Sequence, residues 1–454
     1  MSTNKTTAVP TKAIRGPVLT FSGDPFKDGL EHTMIFEPDG IVAFGNGVIT
    51  HFGPADKIKP ELPGCPIENY GSDSLISAGF LDSHVHFPQT PMIGAFGAQL
   101  LDWLNTYTFP TERKFRDKAF ASSVAKVFLE ECLRNGITTN CVYATVFPES
   151  VDALFEEAER LGMRIATGKV MMDRNAPDYL VDTVQSSYDD SKALINKWHG
   201  RGRLMYAITP RFAPTSTGEQ LEAAGSLCTQ HPDCFMQTHV SENVNEVAWV
   251  KDLFPERKGY LDVYDHYHLC RPRAVFGHGV HLTDDEMHCM HRTGSAISHC
   301  PTSNFFLGSG YFNVARAMQK DRPVRVGLGT DLGAGTSFSI LLTLNEAYKA
   351  AQLNNYALQA GHAYYMATRG TARAMYIEDK VGSIAPGMEA DIVVLNMKSP
   401  PIIKYRMEFA KDIHEALFIQ MTLGDDRAVQ ATYVAGELKY VNTSPIISSL
   451  IAAE

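Results

Sequence analysis

From about residue 79 to residue 331 the chain alternates two hydrophobic patterns. Apolar runs of strand length recur at Gly79 to His86, Ile137 to Thr145, Met163 to Met172, Leu204 to Pro210, Phe235 to His239, Arg273 to His278, Ser295 to His299 and Val324 to Asp331. Stretches with helical spacing separate them, among them Lys118 to Asn135, Ser150 to Leu161 and Ser191 to His199. Eight strand–helix units over roughly 300 residues are what a (β/α)8 barrel requires. The fold class expected is therefore α/β, with a barrel as its main body.

The two chain ends read differently. From Ile14 to Leu75, runs such as Ile41-Val42-Ala43-Phe44 and Gly47-Val48-Ile49 sit among Gly, Pro and Asp residues, without helix-length periodicity. The same texture returns at Val381 to Gly387, Ala390 to Leu395 and Thr432 to Glu437. The expectation is one smaller, sandwich-like β domain built from residues 1–76 and 381–454, around a catalytic barrel of residues 77–380.

Composition narrows the function. With 44% hydrophobic and 20% charged residues in 454, the chain has the make-up of an ordinary globular protein. A formal net charge of −10 and the lack of any Lys/Arg block argue against nucleic acid as a partner. The apolar runs are too short to span a membrane. Met1 to Pro10 is polar, without the apolar core of a signal peptide, and the eight scattered cysteines form no C-x-x-C pair. Both features predict a cytoplasmic protein with reduced thiols.

Candidate chemistry gathers at the strand ends. In the first strand His84 and His86 are two residues apart, so both imidazoles face the same side. The fifth strand ends in Thr238-His239, the sixth in Gly277-His278-Gly279 and the eighth in Gly329-Thr330-Asp331. In a (β/α)8 barrel these ends meet at one mouth. Imidazoles plus a carboxylate suit one divalent ion per chain, zinc or ferrous iron, with a position left for water. His278 is read as either a second-metal ligand or a group that orients the water. Lys169, the strand-borne lysine that could carry a bridging carbamate, is the mark a two-metal site would need; one metal is favoured. Glu242, three positions past His239, is the candidate general acid/base; the alternative is a solvated first-turn glutamate.

Gly79 to His86, His239, His278 and Asp331 resemble the amidohydrolase superfamily, and His239-Val240-Ser241-Glu242 resembles its mononuclear deaminase branch. Longer stretches are similar to the guanine deaminase family: Leu101 to Pro110, Thr209-Pro210-Arg211-Phe212, Cys300-Pro301-Thr302-Ser303-Asn304 with Leu307 to Gly310, Gly329 to Gly335, and Met421 to Arg427. The similarity runs from about Ile14 to Val441. Ser77-Ala78 departs from a frequent Pro-Gly, a change in a turn rather than in a ligand.

The resemblance implies hydrolytic deamination of guanine to xanthine and ammonia by a homodimer. It implies His84, His86, His239 and Asp331 as metal ligands, with Glu242, His278 and Asp331 catalytic. His86, Gln89, Arg211, Phe212, His239, Glu242 and Asp331 would line a pocket for a purine base. Gln89 offers an amide for a base edge, Arg211 donors for a carbonyl oxygen, and Phe212 a stacking face. Taken alone, Phe212 also reads as core and Arg211 as a surface ion pair. The alternatives are a deaminase of another aminated ring (an oxidised guanine, a pterin or a triazine) and a barrel used as a non-catalytic scaffold. The Leu101 to Phe115 segment is a candidate lid.

Overall fold

The computed structural model describes residues 9–96 and 100–443. The first eight residues of the polar start, residues 97–99 and residues 444–454 lie outside the described ones. The chain opens with β1 (Lys12–Phe21), β2 (Met34–Gly45), β3 (Val48–Pro54), β4 (Ile67–Asn69) and β5 (Ser74–Ala78). The barrel strands follow: β6 (Phe80–His86), β7 (Ile137–Tyr143), β8 (Arg164–Gly168) with its short continuation β9 (Val170–Met171), β10 (Met205–Pro210), β11 (Phe235–Val240), β12 (Ala274–His278), β13 (Ala296–His299) and β14 (Arg325–Leu328). Last come β15 (Ile392–Asn396), β16 (Val429–Val434) and β17 (Glu437–Val441).

The barrel strands pair in parallel from β6 round to β14 in chain order. The remaining seam is closed by side chains and single backbone bonds. Ser83 Oγ donates to Leu328 O at 2.9 Å and lies 2.7 Å from Ser298 Oγ, and Asp331 N donates to His84 O at 2.9 Å. Buried aliphatic and aromatic residues of the strands pack beneath the surrounding helices, so the barrel is a filled core that presents chemistry only at its rim.

The other sheet is mixed, in the order β17-β16-β15-β5-β1-β2-β3 with β4 beside β1. It takes strands from both chain ends and curls over its own apolar face. Phe44 of β2 and Tyr433 of β16, far apart in strand order, meet ring to ring at 5.9 Å. Alternate residues of β15 serve two cores: Ile392 and Val394 face this inner layer, Val393 and Leu395 the barrel. The passage from one sheet to the other is a single residue. Gly79 N donates to Asp391 O in the mixed-sheet half, and Phe80 N to Gly136 O in the barrel half, both at 2.9 Å.

Several boundaries differ from the sequence pattern, and three of them have a clear local reason. The third barrel strand is interrupted at Lys169, whose N–H donates to Tyr206 Oη rather than into the ladder. The eighth ends at Leu328 because Thr330 and Asp331 bond across the seam to Asp82 and His84. The helix expected from Ser191 begins at Val184, capped by Thr183, whose hydroxyl accepts from Ser186 N at 3.0 Å.

A partly buried ion cluster fastens the two bodies. Glu389, just before β15, receives Arg164 Nε of β8 at 3.1 Å and Arg203 Nη2 at 2.6 Å; Arg203 also pairs with Asp391. Burial alone would raise the Glu389 pKa, but the two guanidiniums prevail and hold it below the ordinary carboxylate value. A depressed folded pKa contributes stability above the unfolded pKa, and that contribution is lost as pH falls through the folded value. Glu389→Gln is accordingly expected to cost about 2–3 kcal/mol at neutral pH and to flatten the acid limb of a chemical-denaturation series. An unchanged midpoint at pH 7 would remove the cluster from this role.

Candidate active site

At the barrel mouth the strand ends converge on a cavity lined by His86, His239, Glu242, His278 and Asp331. His86 Nε2 and His239 Nε2 lie 3.1 Å apart, and Asp331 Oδ1 lies 3.4 Å from both His84 Nε2 and His86 Nε2. His84, His86 and Asp331 are buried and His239 is half-buried. His239 Nδ1–H donates to Arg211 O at 2.7 Å, which fixes the tautomer and turns the Nε2 lone pair into the cluster. His84 Nε2 is buried without a hydrogen-bond partner, a costly arrangement for an imidazole that nothing else engages. Donors at about 2.0–2.2 Å from a tetrahedral zinc stand roughly 3.3–3.6 Å apart; the two 3.4 Å separations fall in that range and the 3.1 Å one just below it. His84, His86 and His239 form one group able to hold a divalent ion, and His84, His278 and Asp331 an overlapping one.

The imidazoles are kept in the neutral, ligating form. Burial lowers the His84, His86 and His239 pKa values, the last two well below normal, and neighbouring imidazoles push the same way. Asp331 stays ionised: burial would raise its pKa, but the surrounding imidazoles, His84 foremost, bring it below normal.

Backbone geometry aims these groups. Ser241, His278 and Asp331 adopt φ of 49°, 70° and 48°, a left-handed conformation unusual for non-glycine residues and found where function demands it. Two glycines make room. A Cβ on Gly277 would stand 2.4 Å from His84 Cε1, and one on Gly333 (φ 119°) would stand 2.0 Å from Gln89 Oε1. Asp82 ties the rim together. Its carboxylate accepts from His84 N at 3.2 Å, from Thr330 N at 3.1 Å and from the Thr330 hydroxyl, and burial pushes its pKa up to about 7.

Beside the cluster stands Glu242, buried rather than solvated. Its Oε2 lies 3.4 Å from His278 Nε2, and its Oε1 accepts from Ser309 Oγ at 3.2 Å. Burial, opposed only in part by His278, pushes its pKa up to about 7. Its backbone N–H is held by Glu246 Oε2 at 2.9 Å, and Tyr260 Oη donates to the other Glu246 oxygen at 2.6 Å. His278 Nδ1–H donates to Asn304 Oδ1 at 2.9 Å; despite burial, Glu242 and Asp331 raise its pKa above normal. A carboxyl whose pKa is pushed up to about 7, side by side with an imidazole whose pKa is raised, forms a pair able to give and take protons.

The rest of the cavity suits a flat, polar ring. Gln89, Arg211, Phe212, Trp103, Leu104 and Leu307 line it. Gln89 Oε1 and Trp103 Nε1 are buried without partners. Phe212 is both core and wall, with its ring 6.4 Å from that of His239. Arg211 is a buried ion pair as well as a lining residue: Nη1 donates to both oxygens of Glu112 at 2.8 Å. Lys169 is not at the mouth but pairs with Asp182. The segment from Leu100 to Arg116 roofs the cavity as short helical turns.

Sequence reasoning missed Glu112, Trp103, Asp82 and Glu246. Asn304 and Ser309 were visible only as part of a motif without an assigned role. For Glu112, replacement by Gln removes the charge that orients Arg211. KM is expected to rise roughly 10–100-fold for the loss of about 1.5–3 kcal/mol of charged hydrogen bonding, with the metal content unchanged. An unaltered KM would show that Arg211 needs no such support.

The sequence matches the amidohydrolase family over residues 75–439. The chain belongs to that family. Within it, this amidohydrolase is 47% identical over 432 residues to the guanine deaminase of Escherichia coli K12, covering 94% of this chain and 98% of that protein. The solved structure of E. coli guanine deaminase superposes with a TM-score of 0.91 at 46% identity, over 95% of this chain and 99% of the other. A guanine deaminase from C. acetobutylicum with guanine bound in its active site superposes with a TM-score of 0.85 at 29% identity, over 94% and 100%.

Proposed function

We propose that this amidohydrolase hydrolyses guanine to xanthine and ammonia. The observation that carries the reading is the joining, in one cavity, of a divalent-metal donor set to a neutral-range carboxyl and a wall of amide, guanidinium and aromatic groups. Its kinship with guanine deaminases over almost the whole chain gives that cavity its substrate.

His84, His86, His239 and Asp331 would hold the ion, zinc in the first place, with ferrous iron accepted by the same donors. When bound, such an ion supplies the Lewis acidity that makes water a nucleophile at neutral pH. The remaining work belongs to the chain's own groups. Gln89 and Arg211 grip the edge of the base, while Phe212 packs on its face. His278 and Asp331 take and orient the proton of the attacking water. Glu242 protonates the ring nitrogen beside C2, making that carbon electrophilic. It recovers from His278 the proton taken from the water and delivers it to the departing amino group. The hydroxyl proton released as the C2 carbonyl forms restores the Glu242 carboxyl. The roof of residues 100–116 limits access of bulk water during these transfers.

A panel of aminated rings followed by ultraviolet absorbance tests the reading. Guanine is expected to turn over, and guanine left intact while an oxidised guanine, a pterin or a triazine is deaminated would overturn it. Elemental analysis of the purified protein tests zinc against iron. The described residues include no helix long and apolar enough to cross a membrane. The reading includes a cytoplasmic homodimer; the cytoplasm is supported by eight unpaired cysteines and the dimer by the family resemblance, which sedimentation equilibrium would check. It also divides the chain at residues 76/77 and 380/381, a division supported by which strands join which sheet.

A further inference from the structure

Away from the mouth, two cysteines come together around β12. Cys270 lies in the loop that leads into this strand, and Cys289 on the helix Asp284–Thr293 that follows it. With a carboxylate oxygen of Asp265, their sulfurs lie within 4.8 Å of one another. Cys270 is buried and Cys289 is half-buried. Arg292, three residues beyond Cys289, places Nη2 3.4 Å from Cys289 Sγ and 3.0 Å from Asp265 Oδ2. A surface cleft with Asp265, Cys270, Arg271 and Arg292 on its walls opens beside Cys270.

The two thiols are inequivalent. The proximity of Cys270 brings the Cys289 pKa below its ordinary value, with Arg292 acting in the same direction and partial burial and the Asp265 carboxylate opposing; the Cys270 S–H itself donates to Leu261 O at 4.0 Å. Burial keeps Cys270 a protonated thiol. A half-buried thiol of lowered pKa beside a guanidinium, next to a second thiol, is the arrangement of a reactive cysteine and its resolving partner. Cys228 lines the same cleft, but burial raises its pKa to about 11, which leaves it unreactive at neutral pH. The Arg292 guanidinium over the cluster also opposes a divalent cation at Asp265, Cys270 and Cys289.

We propose that Cys289 is a peroxide-reactive thiol and that Cys270 resolves it, so that hydroperoxides install a Cys270–Cys289 disulfide across the base of β12. The Cys289 thiolate attacks one peroxide oxygen; the O–O bond breaks, a sulfenic acid forms, and the released hydroxide takes up a proton as water. The Cys270 sulfur then attacks the sulfenyl sulfur. The S–O bond breaks, and the hydroxyl leaves as a second water carrying the Cys270 proton. The two thiols lose two electrons and the peroxide gains them. The cross-link ties the segment before β12 to the middle of the following helix, at the opposite end of the strand from His278, so turnover persists in the oxidised form.

The test treats the zinc-loaded full chain with stoichiometric hydrogen peroxide, alkylates the remaining thiols and maps the peptides. Loss of two of the eight alkylatable thiols, as a linked Cys270–Cys289 peptide with guanine turnover retained, is the expected result. Cys270→Ser should halt at a Cys289 sulfenic acid that dimedone captures, and Cys289→Ser should leave Cys270 alkylatable at the same dose. Wild-type mapping decides the matter even where a variant folds poorly. Both thiols still alkylatable while other cysteines oxidise would overturn the proposal. So would dimedone trapped on Cys270 first, or protection of both thiols by added zinc alone.

Discussion

Glu242→Gln is expected to retain its metal and to lose about 10²–10⁴-fold in kcat, the range an acid/base group contributes. The substitution is nearly isosteric, and the amide oxygen can still accept from Ser309 Oγ, which now lies 3.2 Å from Glu242 Oε1. What disappears is a proton that can be given and recovered near neutral pH. The wild-type carboxyl is poised for this because burial pushes its pKa up to about 7; an amide has no such equilibrium. KM should move little, because the base edge is held by Gln89 and Arg211. Turnover within a few-fold of wild type would take Glu242 out of the proton path altogether.

Asp331→Ala is expected to fail in a different way. Its carboxylate is the one anion that lies 3.4 Å from two of the cluster imidazoles and 3.8 Å from His278 Nε2. Without it three neutral nitrogens remain, and nothing offsets the charge of a buried divalent ion. Loss of a partner that merely supports a ligand costs about 10–100-fold in metal affinity, so loss of the anionic ligand itself should exceed that. The purified variant should contain far less than one ion per chain, and excess zinc should restore activity poorly. Elemental analysis beside the assay separates the two variants: Glu242→Gln is full and slow, Asp331→Ala empty and inactive. An Asp331→Ala protein with full metal content would move the ion to other donors.

The metal cluster was legible because its members obey rules with short reach. His84 and His86 follow from the two-residue period of a strand, and His239, His278 and Asp331 from their position at strand ends of a barrel. Glu112 obeys no such rule. It reaches Arg211 only because the 100–116 segment folds back over the mouth, a consequence of tertiary packing with no local sequence signal. Asp82 stood in plain view beside the histidines, yet its role depends on Thr330 lying across the closing seam. The helix start at Val184 was missed because its reciprocal cap pairs Thr183 with Ser186, where a Glu or Gln usually marks the third position. Gln89 and Phe212 were legible through family resemblance, since an amide and a phenyl ring have too many uses elsewhere for spacing alone to single them out.

Because one glycine carries the backbone from the mixed sheet into the first barrel strand, ion occupancy is felt well beyond the rim. A ligand that binds only the folded form adds RT ln(1 + [L]/Kd) to the free energy of opening whatever must open with it. β5 cannot leave its neighbours without pulling on the strand that carries His84 and His86. Loading with zinc should therefore slow amide exchange in β1 and β15 as well as in β6, although neither of the first two strands contributes a ligand. By the same coupling, a chain trimmed of its final strands would not survive as a smaller catalyst, but would release its ion as the remnant of the curled sheet frays.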